Sequence, residues 1–161
     1  MAALIPTENF PINLPASFSS SSPEETFALG ERLASLLQNG SIVALKGPLG
    51  AGKTCFAKGI ARALGVAEEV SSPTYTIVSE YGAFLQAGPP VTLYHIDAYR
   101  LRGSDDFSAI GGEEIVFSDG ISLIEWSERI EDFIPPQALR VDIEIADGGR
   151  RLIRMYTKGD T

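Results

Sequence analysis

Residues 41–56 read Ser-Ile-Val-Ala-Leu-Lys-Gly-Pro-Leu-Gly-Ala-Gly-Lys-Thr-Cys-Phe, and the fold turns on this stretch. Ser41 to Lys46 form a short, β-branched and apolar run of the kind that makes a strand buried on both faces. Gly47, Pro48, Leu49, Gly50, Ala51, Gly52, Lys53 and Thr54 then fit the spacing G-x-x-x-x-G-K-[ST]. From Lys53 to Leu64 the pattern turns helical, with Cys55 in the first turn, and Gly65 closes it. A strand, a glycine-rich turn and a helix in that order aim backbone N–H groups and the positive end of the helix at one spot. The ligand this suits is a polyphosphate. Lys53 is placed to reach the β- and γ-phosphates, and the Thr54 hydroxyl to ligate a magnesium ion bridging them. Pro48 lacks an N–H but precedes the amides that do most of the cradling.

Magnesium between phosphates calls for a carboxylate at the end of a neighbouring apolar strand. Two residues qualify: Asp97 after Leu93-Tyr94-His95-Ile96, and Glu125 after Ser122-Leu123-Ile124. Either could instead be a polar residue that merely ends a strand. His95 alternates with Tyr94 and Ile96 and reads as a hydrogen-bonded structural histidine. Cys55 reads as a packing residue, although a helix start can lower a thiol pKa.

Outward from the loop, Ser22-Pro23-Glu24-Glu25 combines a capping serine, a proline at the first helical position and a carboxylate three residues after the cap. A helix opens there, carries Leu29, Leu33, Leu36 and Leu37 on one face, and stops at Asn39-Gly40. Pro6, Pro11, Pro15 and a serine run make residues 1–20 a loosely ordered arm with an edge strand near Ile12 to Leu14; residues 21–161 are the domain. Residues 74–81 and 91–97 are strand-like and flank a hairpin loop of residues 82–90. Ser104 to Phe117 reads as short helical turns broken at Gly111-Gly112, and Ile121 to Ile124 as a brief strand. At the end, Leu139, Val141, Ile143 and Ile145 alternate with Arg140, Asp142 and Glu144, turn at Asp147-Gly148-Gly149 and return through Leu152 to Tyr156 as a half-exposed hairpin. The expected fold class is α/β: a single P-loop NTPase domain with a mixed, partly parallel central sheet flanked by helices and a C-terminal β-hairpin.

Composition bounds the function. With 161 residues, 44% apolar and 21% charged, the chain matches one ordinary globular domain. No apolar run approaches the ~18 residues of a membrane span, so no membrane role is expected. One cysteine and one histidine make neither a disulfide nor a Cys/His zinc site. Residues 1–20 lack a signal-peptide pattern, and a reducing cytoplasm is the expected compartment. A net charge of −8 opposes direct gripping of nucleic acid phosphates. Residues 140–161 hold five basic side chains against four acidic ones, which suits a solvated hairpin face better than a docking face.

Three further segments follow the loop in order: residues 71–81 (SSPTYTIVSEY), 94–101 (YHIDAYRL) and 123–129 (LIEWSER). Together with residues 47–54 (GPLGAGKT) they resemble the TsaE family of bacterial threonylcarbamoyladenosine tRNA modification, from about Pro23 to about Arg154. The family usually has aspartate where Pro48 stands and often a second threonine where Cys55 stands. The resemblance implies a magnesium-dependent ATPase whose cofactors are ATP and Mg2+, with Thr54 and Glu125 as metal residues and Asp97 beside the phosphates. It implies that Ser72-Pro73-Thr74-Tyr75 acts as a switch facing the γ-phosphate, with Trp126 as the tryptophan beside the acidic residue; strand entry and plain packing are the alternatives. It puts adenine near Ser22 and Gly149. It also implies a complex with TsaB and TsaD, a functional link to TsaC, and contact with tRNA only through those partners. A small-metabolite kinase is the rival, but Arg100 and Arg102 are the only paired arginines between loop and final hairpin, too few for a kinase lid. A non-hydrolysing nucleotide sensor that docks on a partner is the third class.

Overall fold

A computed structural model describes residues 12–71, 77–86 and 88–159. The strands are β1 (Ala16–Ser20), β2 (Ile42–Lys46), β3 (Val78–Phe84), β4 (Pro90–Asp97), β5 (Ile121–Glu125), β6 (Leu139–Ile145) and β7 (Arg151–Tyr156). The helices are α1 (Pro23–Leu33), α2 (Lys53–Ala63), α3 (Ser104–Ala109) and α4 (Gly112–Val116). One sheet runs β1-β7-β6-β2-β5-β4-β3. Its centre is parallel, β6 with β2, β2 with β5 and β5 with β4. Its edges are antiparallel, β1 on β7, β7 on β6, and β3 on β4. The mixed α/β fold expected from the sequence is the fold observed.

Alternation along the central strands sorts the core into two layers. Val43, Leu45, Leu123, Val141 and Ile143 face α1 and α2. Ile42, Ala44, Ile96 and Ile124 face the opposite layer, where Phe107, Val116 and Ile130 come from α3, α4 and a 3₁₀ turn at Ser127–Phe133. That turn had no signature in the sequence. The α1 start forms as expected: Ser22 accepts from the Glu25 N–H at 3.1 Å, and Glu25 accepts from the Ser21 N–H at 2.6 Å. Such a cap stabilises a helix by about 1 kcal/mol. Helices α1 and α2 approach so closely that a Cβ on Gly30 would collide with the Phe56 carbonyl oxygen, and one on Gly59 with that of Phe27.

Three expectations need correction. The edge strand expected at Ile12 to Leu14 lies instead at Ala16–Ser20, because the pairing partner β7 is in register with those residues. The hairpin loop of residues 82–90 is shorter than expected, since Gly82, Ala83 and Phe84 pair with Thr92, Val91 and Pro90. An edge strand tolerates a glycine, and a strand tolerates proline as its first residue. Arg140, expected on a solvated hairpin face, is only 6% exposed. β6 is an inner strand whose first three residues, Leu139 to Val141, are buried, and Arg140 bonds Glu131 at 2.8 Å and the Ile134 carbonyl at 3.4 Å.

Candidate functional site

The site lies where parallel α/β sheets place theirs, at the carboxyl ends of β2, β5 and β4. After Lys46 the chain turns through exposed Pro48 and Leu49 into α2. Gly47 must be glycine because a Cβ there would come within 2.5 Å of the Ile143 carbonyl oxygen on β6. Gly50 (φ +78) and Gly52 (φ +111) take left-handed conformations that bend the loop around the start of α2. The Ala51 N–H donates to the Pro48 carbonyl at 3.1 Å and tightens the turn. α2 begins at Lys53, and the N-terminal end of a helix, with its positive dipole end, suits an anion.

Lys53 is 5% exposed, and its Nζ donates to the carbonyls of Gly47 at 2.5 Å and Pro48 at 3.0 Å. It also sits 4.0 Å from the centre of the Trp126 ring. Burial lowers the Lys53 pKa, and the charges of Glu125, Glu128 and Asp97 partly oppose that shift. Thr54 Oγ1 donates to Glu125 Oε1 at 2.8 Å, joining the first turn of α2 to the last residue of β5. Glu125 Oε2 meets His95 Nε2 at 2.5 Å. Asp97 and Glu125 are register partners on β4 and β5, so the two carboxylates leave the sheet side by side. Asp97 Oδ1 accepts from the Tyr99 N–H at 3.0 Å and caps the turn that follows.

Trp126 is the one non-glycine residue with positive φ (+58) among the described residues. A bulky side chain in this conformation costs about 1 to 3 kcal/mol, so the surrounding contacts must hold it. Its ring packs on Tyr99 at 4.9 Å between centroids, and Arg129 lies 5.9 Å from its centre. The left-handed turn directs the chain sharply away from β5 and leaves the ring over Lys53.

Leu49, Gly50, Gly52, Lys53, Thr54, Cys55, Asp97, Tyr99, Glu125 and Trp126 line a cleft of about 320 Å³. A second cleft of about 180 Å³ adjoins it across Gly50, Gly52 and Cys55, bringing together Ser22, Thr26, Gly149 and Arg151. Thus the residues expected at the phosphates and those expected near adenine occupy two adjoining hollows. Thr74 and Tyr75 lie outside the described residues. Cys55 Sγ donates to the Pro23 carbonyl at 3.2 Å, and burial pushes its thiol pKa up. The direction is opposite to that of a thiol activated at a helix start, in keeping with a packing residue.

Sequence reasoning missed Arg151. Its guanidinium donates to the carbonyls of Ala51 (3.0 Å), Gly50 (3.1 Å) and Gly149 (2.5 Å), tying the loop to the final hairpin turn. In the sequence it was one of five basic residues in a hairpin, with nothing to mark it out. His95 was read as hydrogen-bonded, but not as the partner of Glu125.

A metal ion at this site would meet hard oxygen donors. Thr54 Oγ1 and Glu125 Oε1 stand within hydrogen-bond distance of each other in the cleft that Lys53 also lines. The described residues hold no cluster of three or more His, Cys, Asp or Glu that could cage a metal alone. Two protein oxygens, with the rest from phosphate and water, fit the way Mg2+ is held.

A buried parallel strand feeding a glycine loop and helix, with carboxylates at the ends of β5 and, one strand further out, β4, defines a P-loop-like α/β fold. The sequence model of the family "Threonylcarbamoyl adenosine biosynthesis protein TsaE" matches residues 20–153. The "tRNA threonylcarbamoyladenosine biosynthesis protein TsaE" of Treponema pallidum is 42% identical over 134 residues, 83% of this chain and 95% of that protein. The protein of the same name from Bacillus subtilis is 37% identical over 138 residues, 86% of this chain and 83% of its own. The crystal structure of Bacillus subtilis YdiB superposes with a TM-score of 0.69 at 34% identity, covering 88% of this chain and 85% of that one. The chain belongs to the TsaE family, whose role is in tRNA threonylcarbamoyladenosine biosynthesis. No helix among the described residues is long and apolar enough to cross a membrane.

Proposed function

We propose that this chain is a magnesium-dependent ATPase, slow in isolation, that supports threonylcarbamoylation of the adenosine next to the anticodon in tRNA. It acts in a complex with TsaB and TsaD, with TsaC supplying the activated group, in the cytoplasm. The observation that carries the reading is the Thr54–Glu125 hydrogen bond of 2.8 Å beside Lys53 and Asp97. It sets two oxygen donors, one ammonium and a second carboxylate around a single cleft.

Lys53, now bonded to the Gly47 and Pro48 carbonyls, would supply the counter-charge to the phosphates of ATP at this loop. Thr54 and Glu125 would hold Mg2+, which would supply charge neutralisation at the phosphates. Asp97 stands beside Glu125 and orients the attacking water or takes its proton. The base occupies the hollow at Ser22 and Gly149; adenine is favoured because the sequence has no Asn-Lys-x-Asp segment with which to read guanine. Thr74 and Tyr75 serve as the switch toward the γ-phosphate. The net charge of −8 leaves tRNA to the partners.

The test is ADP release by the purified chain alone and with TsaB and TsaD, together with tRNA binding by each. A slow rate that rises on adding the partners, and weak tRNA binding by the chain alone, are expected. An unchanged rate, tight tRNA binding by the isolated chain at physiological salt, or phosphate transferred to a small molecule would overturn the reading.

A further inference from the structure

Glu125 offers two oxygens, and the described residues use both. Oε1 accepts from Thr54 on α2, while Oε2 meets His95 Nε2 at 2.5 Å. Both members of the second contact are buried, with side-chain exposures of 0% for His95 and 3% for Glu125. One hydrogen bond joins the imidazole edge to the carboxylate. The other ring nitrogen, Nδ1, is buried with no hydrogen-bond partner among the described residues. Leaving a buried polar atom unpaired costs about 1 to 3 kcal/mol, and an apolar side chain in this core position would avoid that cost. What the imidazole supplies in return is the single bond to Glu125.

The strand register explains how it does so. His95 lies across from Leu123 on β5, two residues before Glu125, so its ring spans one register step to reach the carboxylate. Leu93 and Leu123 on the same face are fully buried, and His95 sits in this wall as its polar member. His95 would not itself ligate an ion held by Glu125, because its Nε2 is already directed at Oε2. From this geometry we infer that His95 is a positioning residue for the metal: it fixes the Glu125 carboxylate so that Oε1 is presented beside Thr54. The inference rests on the magnesium reading of the site given above. Groups that orient a ligating residue without touching the metal typically change metal affinity by about 10- to 100-fold when removed.

The experiment measures Mg2+ binding to the ATP-loaded full chain by calorimetric titration, and ATP binding without Mg2+, for the wild type and for His95→Leu and His95→Gln. The glutamine amide can place an N–H near the position of Nε2, whereas leucine places none. Mg2+ affinity is expected to fall about 10- to 100-fold in His95→Leu and to recover in His95→Gln, with metal-free ATP affinity unchanged in both. Thermal denaturation checks that each variant folds. Should His95→Leu fail to fold, His95→Asn replaces it, since its amide ends near Nδ1, short of Glu125, and the same loss is expected. Unchanged Mg2+ affinity in the leucine or asparagine variant overturns the inference, as does a folded glutamine variant no better than leucine. If the wild type itself binds ATP no differently with Mg2+ than without it, the magnesium reading of the site fails instead.

Discussion

Strands β2 and β5, in the parallel centre, bury every residue except Lys46, whereas β7 alternates more and less exposed positions and β3, at the antiparallel edge, buries only Ala83. The difference follows from cover. The centre has helices on both faces and can carry polar chemistry only at its carboxyl ends, where Lys53, Asp97 and Glu125 gather. The edges expose one row of side chains, and those side chains can reach across to hold the centre's loops. Arg151, the first residue of β7, does this by gripping the Gly50 and Ala51 carbonyls. Chemistry sits on the centre, and part of its bracing comes from the edge.

Removing the central cation should have the largest effect. Lys53→Ala is expected to weaken MgATP binding by about 2 to 5 kcal/mol, because the phosphates lose a desolvated counter-charge. Equal calorimetric affinity for the two forms would show that the centre does not bind through this lysine. Glu125→Gln and Asp97→Asn should each slow ATP hydrolysis within the partner complex by about 100-fold or more, with nucleotide binding largely kept. Wild-type rates in both would remove the two carboxylates from the chemistry.

The next effect concerns the layer beneath the loop. Gly59→Ala on α2 forces a methyl group against the Phe27 carbonyl and should destabilise the fold by about 1 to 3 kcal/mol, read as a lower denaturation midpoint. Retained stability would mean that α1 can shift away from α2 freely. At the edge, Arg151→Met should leave folding largely intact and weaken nucleotide affinity roughly tenfold, the equivalent of about 1.4 kcal/mol. Lysine should not rescue it, lacking the planar fork that meets three carbonyls. If affinity does not change, the edge does not brace the centre.

The smallest effect is a pH dependence. An anionic ligand favours charged Lys53, so affinity is full below the depressed pKa of this lysine and falls as pH rises through it. Since burial lowers that pKa, the fall should begin below the ordinary lysine value of 10.5. Affinity that stays flat up to that value would contradict the burial of this cation.

The phosphate loop was legible because all of its parts are contiguous. Glycines at positions 47, 50 and 52, the lysine and the threonine act through their own backbone and the helix they start, so spacing alone specifies them. Asp97 and Glu125 were legible as strand ends for the same local reason. Pairing partners were not, because register between strands depends on turns and on which faces are covered. This is why Arg140 was assigned to solvent although β6 lies inside the sheet, and why β1 was placed four residues too early.

By itself, then, the sequence determined a strand, a glycine loop and a helix in that order, two candidate carboxylates, and a net charge of −8. Only the tertiary structure decided that Glu125 bonds both Thr54 and His95, and that Arg151 holds a loop 101 residues away. The reason is physical. A loop's conformation is set by the dihedral preferences of neighbours in the chain, whereas a contact across strands exists only once the sheet order β7-β6-β2-β5-β4 has brought distant residues into register.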